Sequence, residues 1–201
     1  MTGQSFDSAV LYLVRHGESG WNLADRVQGQ SSSAESLTAT GRAQAAHTGE
    51  LLAERVPKAE SIVASDLPRA RETAEIIAAR LHLPIRFDPQ LREQRLGEFE
   101  GHPFSGPWDN GTVTQAVDAL WREPFRSPPG GESIAQLYRR VHAALHRHAT
   151  ENPGKEIVVV THGGPVRMAT SAAAPTPGRP MSRPDVPNAS ISPWRIPCPA
   201  L

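Results

Sequence analysis

Several things are scarce in this 201-residue chain, and each shortage removes a class of protein. There is one cysteine, Cys198, near the end, so neither an intramolecular disulfide framework nor a cysteine-based metal site is available, and an inert thiol is expected. Net charge is zero, with 21 Lys and Arg against 21 Asp and Glu, which removes the electrostatic footprint of a nucleic-acid or anionic-membrane binder. A local basic pocket stays compatible with that balance. Lysine is almost missing: Lys58 and Lys155 are the only two, leaving 19 of the 21 cations (21 − 2) as Arg. Codon bias explains this as simply as a need for planar guanidinium forks. No apolar run approaches the ~18 residues of a transmembrane helix, and the start Met-Thr-Gly-Gln-Ser-Phe-Asp has no basic n-region. A cytoplasmic protein with no membrane partner is expected. Proline is absent before Pro57 and then dense, with eight of 19 between Pro175 and Pro199. The segment 175–187 is therefore not a regular helix.

Hydrophobic residues make up 38% of the chain, modest for a globular protein, but the balanced charge argues against wholesale disorder. The length suits one domain over 1–201. Short apolar runs alternate with helical patterns. Ala9 to Val14 is a buried-strand signature, and Thr38 caps a helix to about Glu54. Ser61 to Ala64 is a second strand, followed by Ser65 in an N-cap region and Pro68 in the first turn of a helix to about Arg80. Pro84 to Phe87 resembles a third strand. Residues 101–129 are punctuated by Gly and Pro, with a helical candidate near Thr114 to Trp121, and read as a flap inserted into the alternation. Ser133 and Gln136 form a capping box, and Ile134, Leu137, Val141, Ala144 and Leu145 give a 3.6-residue stripe ending before Asn152. Ile157 to Val160 is another strand, Pro165 to Ala174 a helix, and Ala189 to Ile191 a last short strand. The pattern predicts an α/β three-layer sandwich around a mostly parallel sheet, with its ligand site beyond the strands' carboxyl ends.

Two of those strand ends share one design: Arg15-His16-Gly17 follows the first run, and Thr161-His162-Gly163 follows Ile157 to Val160. Each brings a histidine to the same sheet edge, and each glycine lets the backbone turn and approach a ligand. A histidine merely satisfied at a strand end explains one such case more easily than two. Arg69 falls in the first turn of the helix at Pro68, where Arg15 and Arg69 could clamp an anion through two-pronged contacts. Arg71 should instead pair with Glu75 on the surface. The loop Leu91 to Gly97 adds the carboxyl group of Glu93. Two histidines, two arginines and an acid suit phosphoryl transfer: imidazole attacks phosphorus, the cations stabilise the equatorial oxygens, and the acid protonates the leaving alkoxide. That scheme calls for no metal and no cofactor.

The segments L-V-R-H-G-E-S-x-x-N (Leu13 to Asn22), S-D-L-x-R-A-x-x-T-A (Ser65 to Ala74), L-R-E-x-x-L-G-x-x-E-G (Leu91 to Gly101), P-G-G-E-S (Pro129 to Ser133) and T-H-G-G (Thr161 to Gly164) resemble the histidine phosphatase superfamily. The likeness is nearest to its broad-specificity bacterial phosphatases and less near to the larger phosphoglycerate mutases. The resemblance implies that His16 is a phosphohistidine nucleophile and that Arg15, Arg69 and His162 complete the phosphate pocket. It also implies that Asn22 lies beside the pocket and that Glu93 is the proton donor. Gly163 stands where the acid-phosphatase branch carries Asp, which favours Glu93 for that role. Two departures stand out: a proline-rich stretch replaces the usual long helix after the second histidine, and the first half of the flap has no clear helix.

The expected activity is metal-independent hydrolysis of a small phosphorylated metabolite, with mutase-type phosphoryl transfer as the alternative and a non-catalytic phosphate-binding module as a third reading. Acyl hydrolysis is disfavoured, because the near-elbow Gly131-Glu132-Ser133-Ile134-Ala135 follows Arg126-Ser-Pro-Pro-Gly-Gly, which is no strand. Phe104, Trp108, Trp121 and Phe125 are more readily a flap core than substrate contacts. His102 reads as a surface residue. His142, His146 and His148 read as a solvated helix face rather than a metal site. The sequence leaves the oligomeric state open, a homodimer included.

Overall fold

The computed structural model describes residues 9–172 and 191–196. Along the chain these form β1 (Ala9–Arg15), the short α1 (Gly20–Leu23), α2 (Ala39–Arg55), β2 (Ala59–Ala64), α3 (Pro68–Leu81) and β3 (Ile85–Phe87). The strands β4 (Pro107–Trp108) and β5 (Gly111–Thr112) and the helix α4 (Val113–Arg122) make up the flap. Then come α5 (Ile134–Thr150), β6 (Glu156–Thr161), α6 (Gly163–Ala172) and β7 (Ile191–Ile196). The main sheet has the order β3-β2-β6-β1-β7, parallel except for the antiparallel β7. The expected α/β architecture is observed.

Strand side chains alternate between faces, and the two central strands bury both. Leu11 and Leu13 of β1 and Ile157 and Val159 of β6 pack with Leu137, Val141 and Leu145 of α5 and Val166 and Met168 of α6. Val14, Val158 and Val160 face the other way, onto Leu52 of α2 and Ala70, Ala74 and Ile77 of α3. Helices on both faces make the three layers. Because β1, β2 and β6 run parallel, their carboxyl ends lie at one edge, and the loops after all three converge there. A third apolar cluster belongs to the flap and its supports, with Val27, Leu96, Phe99, Val113, Leu120 and Ile134 at its centre.

Local signals account for the element ends. Thr38 caps α2 by accepting the Gly41 N–H, and Ser133 and Gln136 close the capping box of α5. The first half of the flap, which carries no sequence signal for a helix, is a two-stranded ribbon feeding α4, with a second capping box at Thr112 and Gln115. Arg71 pairs with Glu75 as expected and also lays its guanidinium 3.8 Å from the ring centre of Phe87.

Four readings change. Leu67, not Ser65, is the N-cap of α3, and no side chain caps it. The hydroxyl of Ser65 is committed elsewhere. The helix expected at Pro165 starts earlier, at Gly163, and Ala173 and Ala174 lie outside the described residues. The last strand is Ile191–Ile196 and tolerates Pro193 because it is an edge strand beside β1; Ala189, the segment 175–187 and Cys198 also lie outside the described residues. His148 is not on a solvated face: it is 1% exposed, with Nε2 2.7 Å from Asp88 Oδ2, because the last turn of α5 packs on the loop after β3. His142 does remain exposed, its ring stacked near Tyr138 and His146. No described helix is long and apolar enough to cross a membrane.

Candidate active site

The loop after β1 turns against α2, and two glycines make the approach possible. A Cβ on Gly17 would overlap the Gly41 carbonyl, and one on Gly41 would overlap the Glu18 carbonyl. The backbone of Gly17 is further held by its N–H, which donates to Thr73 Oγ1 on α3 at 3.1 Å. This clamp fixes His16, which is 3% exposed. His16 Nδ1 donates to the Gly17 carbonyl at 2.7 Å, leaving Nε2 as the lone-pair nitrogen, and Arg69 Nε donates to it at 3.1 Å. Arg69, 1% exposed in the first turn of α3, is also fixed through Nη2 to the Gly29 carbonyl. His162, fully buried after β6, meets His16 edge-on with ring centres 5.1 Å apart.

Burial and charge set the protonation states. Desolvation, then the cations Arg69 and Arg15, hold His16 well below the ordinary imidazole range. His162 is depressed by burial and then by Arg69. Both rings are neutral at neutral pH. Burial lowers Arg69 to about 10, against the opposing pull of Glu93 and Glu100. Burial also lowers Arg15, again opposed by Glu93. Both guanidiniums stay charged at neutral pH, so two cations and two neutral imidazoles share one pocket.

Glu93 reaches this group from the loop after β3. Its Oε1 accepts from Gln94 N and its Oε2 from Gly164 N, at 2.8 and 3.1 Å. A Cβ on Gly164 would overlap the Glu93 carboxylate, so a side chain there would displace Glu93 from this position. Gly163 sits between the charges: a Cβ on it would lie 3.6 Å from Arg15 Nε and 3.9 Å from Glu93 Oε2. The backbone of Glu93 is pinned as well. Its carbonyl accepts from Gln30 Nε2 and from Arg140 of α5, whose guanidinium also donates to the Gln90 and Arg92 carbonyls and pairs with Glu132. The carboxylate of Glu132 in turn accepts from Arg95 N. Asn22 spends its side-chain oxygen on the capping box with Ser19 and still lines the cavity.

Six of the seven residues singled out from the sequence, Arg15, His16, Asn22, Arg69, Glu93 and Gly163, line one cavity of about 750 Å³, and His162 lies buried against His16. The far side is formed by Phe104, Thr114, Val117, Asp118 and Trp121 of the flap, with Arg167 of α6 lying 3.9 Å from the ring centre of Trp121. Phe104 and Trp121 therefore face the cavity. Trp108 packs on Phe99 and His102 inside the flap, and Phe125 is 87% exposed away from it. Sequence reasoning missed Gly164, Arg140, Arg167 and Ser65, whose Oγ lies 2.8 Å from His162 Nε2. For Gly164 the doubled glycine after His162 was an available signal. The other three act through contacts distant in sequence. No group of three or more His, Cys, Asp or Glu able to hold a metal occurs among the described residues.

Comparison with known proteins fits this geometry. Phosphoglycerate mutase-like protein 4 of Arabidopsis thaliana is 34% identical over 173 residues, 86% of this chain and 74% of that protein. A solved protein of Thermus thermophilus superposes with a TM-score of 0.63 at 36% identity, covering 80% of this chain and 82% of its own. A mycobacterial glucosyl-3-phosphoglycerate phosphatase, solved with VO3, gives 0.68 at 30% identity over 83% and 81%. Residues 11–196 match the profile of the histidine phosphatase superfamily, branch 1, and the chain belongs to that family.

Proposed function

We propose that the protein hydrolyses small phosphomonoesters through a phosphoryl group carried on His16. The observation behind this reading is the state of His16: neutral, buried, oriented by Gly17, and offering Nε2 beside two guanidiniums. The Nε2 lone pair attacks phosphorus and the bond to the ester oxygen breaks. Arg69, which donates to Nε2 in the resting site, turns to the phosphoryl oxygens together with Arg15, and their charge offsets the spread of negative charge over those oxygens. Glu93 in its acid form gives its proton to the departing alkoxide. It then takes a proton from water as the water oxygen attacks phosphorus, the P–N bond breaks, and inorganic phosphate leaves.

Glu93 is only partly buried and lines the cavity, so water has a path to the intermediate. This favours hydrolysis over transfer to a second substrate. The cavity is within the roughly 300–1,000 Å³ range of small-molecule sites, with Phe104, Val117 and Trp121 available to an organic group. The similarity to a glucosyl-3-phosphoglycerate phosphatase supports the same class. The test is a panel of phosphorylated metabolites, phosphate release as readout, and acid-quenched turnover to trap a labile phosphoryl group on His16. Release with labelled His16 is expected. Isomerisation of 3-phosphoglycerate many times faster than release, with a bisphosphorylated primer supplied, would make it a mutase; binding without turnover would make it a phosphate-binding module.

A further inference from the structure

We propose that Ser65 fixes His162 as the tautomer protonated on Nδ1, so that this ring donates a hydrogen bond to the phosphoryl group attached at His16. The inference rests on the phosphoryl-transfer reading above and adds a positioning residue to it.

Ser65 directly follows β2, and its N–H continues the ladder by donating to the Val160 carbonyl. Its side chain is fully buried. Two groups meet its Oγ: the Leu67 N–H, which can only donate, at 3.3 Å, and His162 Nε2 at 2.8 Å. A serine hydroxyl has one hydrogen to give and two lone pairs to accept with. If Nε2 is the acceptor, the hydroxyl donates to it while accepting from Leu67, and every polar atom of the pair except Nδ1 is satisfied. If Nε2 carries the hydrogen, Oγ accepts from both neighbours and its own hydrogen has no acceptor, leaving two unsatisfied buried groups instead of one. Buried polar groups are rarely left unpaired, so the first assignment is favoured.

The remaining atom then acquires a use. His162 Nδ1 is buried and makes no hydrogen bond to the protein. Protonated, it is a donor in a ring 5.1 Å from His16, where an oxyanion forms during transfer. Carrying a lone pair instead, it would repel those oxygens. Burial of the ring and then the Arg69 charge beside it oppose a second proton, so the hydrogen on Nδ1 is the one the ring can offer.

The wild-type protein provides the first test, independent of any variant. In ¹⁵N-labelled protein at pH 7.5, His162 should show the Nδ1–H pattern, and added inorganic phosphate should shift that resonance. An Nε2–H pattern, or a His162 proton indifferent to phosphate that moves the His16 signals, overturns the proposal. The second test is substitution. Ser65→Ala should leave a mixture of tautomers and lower kcat by about 10–100-fold, the usual scale for partners that orient a reacting group, while Ser65→Thr should restore both. Equal kcat losses in both variants, with the wild-type tautomer kept in both, would make Ser65 a packing residue only. An Nδ1–H tautomer together with no phosphoryl group on His16 would preserve the Ser65 assignment and reject the hydrolase reading.

Discussion

The two ends of the cavity are built on different principles. At the phosphate end, His16, Arg69 and His162 are each 3% exposed or less; backbone carbonyls of Gly17 and Gly29 hold His16 and Arg69, and the buried Ser65 hydroxyl holds His162. At the flap end, Phe104, Val117 and Trp121 are half-buried side chains on a segment whose small core is shared with Val27, Leu96, Phe99 and Ile134 of the neighbouring segments. The first end ties charge placement to the sheet, where a shift of an ångström is costly. The second can change its side chains without moving the sheet. Chemistry and substrate preference should therefore respond to different substitutions.

The largest effect belongs to the nucleophile. His16→Ala should remove turnover on every phosphomonoester and leave no acid-labile phosphoenzyme, whereas no single flap substitution should do either. Retained turnover in His16→Ala would erase the distinction. The next largest concerns Glu93, because general-acid help is typically ~10²–10⁴-fold and matters little when the leaving group is already a stable anion. Glu93→Gln should lose about that much on alkyl phosphates and far less on an activated aryl phosphate. Equal losses would reduce Glu93 to holding Gly164 and the loop in place.

The same contrast explains what could be read from the sequence. Apolar runs ending in Arg-His-Gly and Thr-His-Gly announce strands that deliver polar residues to an edge, so β1, β6, His16 and His162 were legible from neighbours in the chain. Ser65 was not, because a serine before a proline-led helix has the pattern of an N-cap, and only the fold brings His162 to it across 97 positions. His148 was misread for the same reason: among Arg147, His146 and Thr150 it looks solvated, and its partner Asp88 lies 60 residues away. Arg140 reads as a surface arginine until α5 is laid against the Glu93 loop. Flap aromatics divide between cavity and core by facing direction, which the ribbon β4–β5 sets and composition does not encode.

A third effect should appear in stability. His16 and His162 are held neutral by burial and nearby cations, while in the unfolded chain each takes up a proton near the ordinary value of 6.5. Below that pH the unfolded state binds more protons than the folded one, so stability falls as pH falls. The loss continues until each ring protonates in the folded protein. Between pH 6.5 and 5.5 the pair should cost about 2 kcal/mol, measured from denaturant midpoints. The depressed carboxylates Asp66, Glu72 and Asp88 lose their contribution only below about pH 5, so they do not confuse this window. Replacing both histidines should flatten the slope. An unchanged slope would move the acid sensitivity elsewhere in the molecule.

The smallest effect is the one that isolates the flap. Trp121 presents its ring to the cavity under the guanidinium of Arg167 and also packs on the core, so truncating it removes apolar contact with a bound organic group. Trp121→Ala should raise KM about 10-fold for a phosphomonoester with a bulky organic part, near the ~1–3 kcal/mol that a hydrophobic pocket contributes to discrimination. It should leave kcat and KM for a small alkyl phosphate close to wild type. Inhibition by inorganic phosphate provides the internal control, since phosphate touches only the buried end and its affinity should not move if that end is intact. Phe125→Ala is the surface control, because the ring is exposed away from the cavity and should change neither substrate. If Trp121→Ala weakens phosphate and both substrates by the same factor, the flap supports the phosphate pocket itself and the two ends are one cooperative unit. If only the bulky substrate suffers, the division between a fixed reacting end and an adjustable recognising end holds.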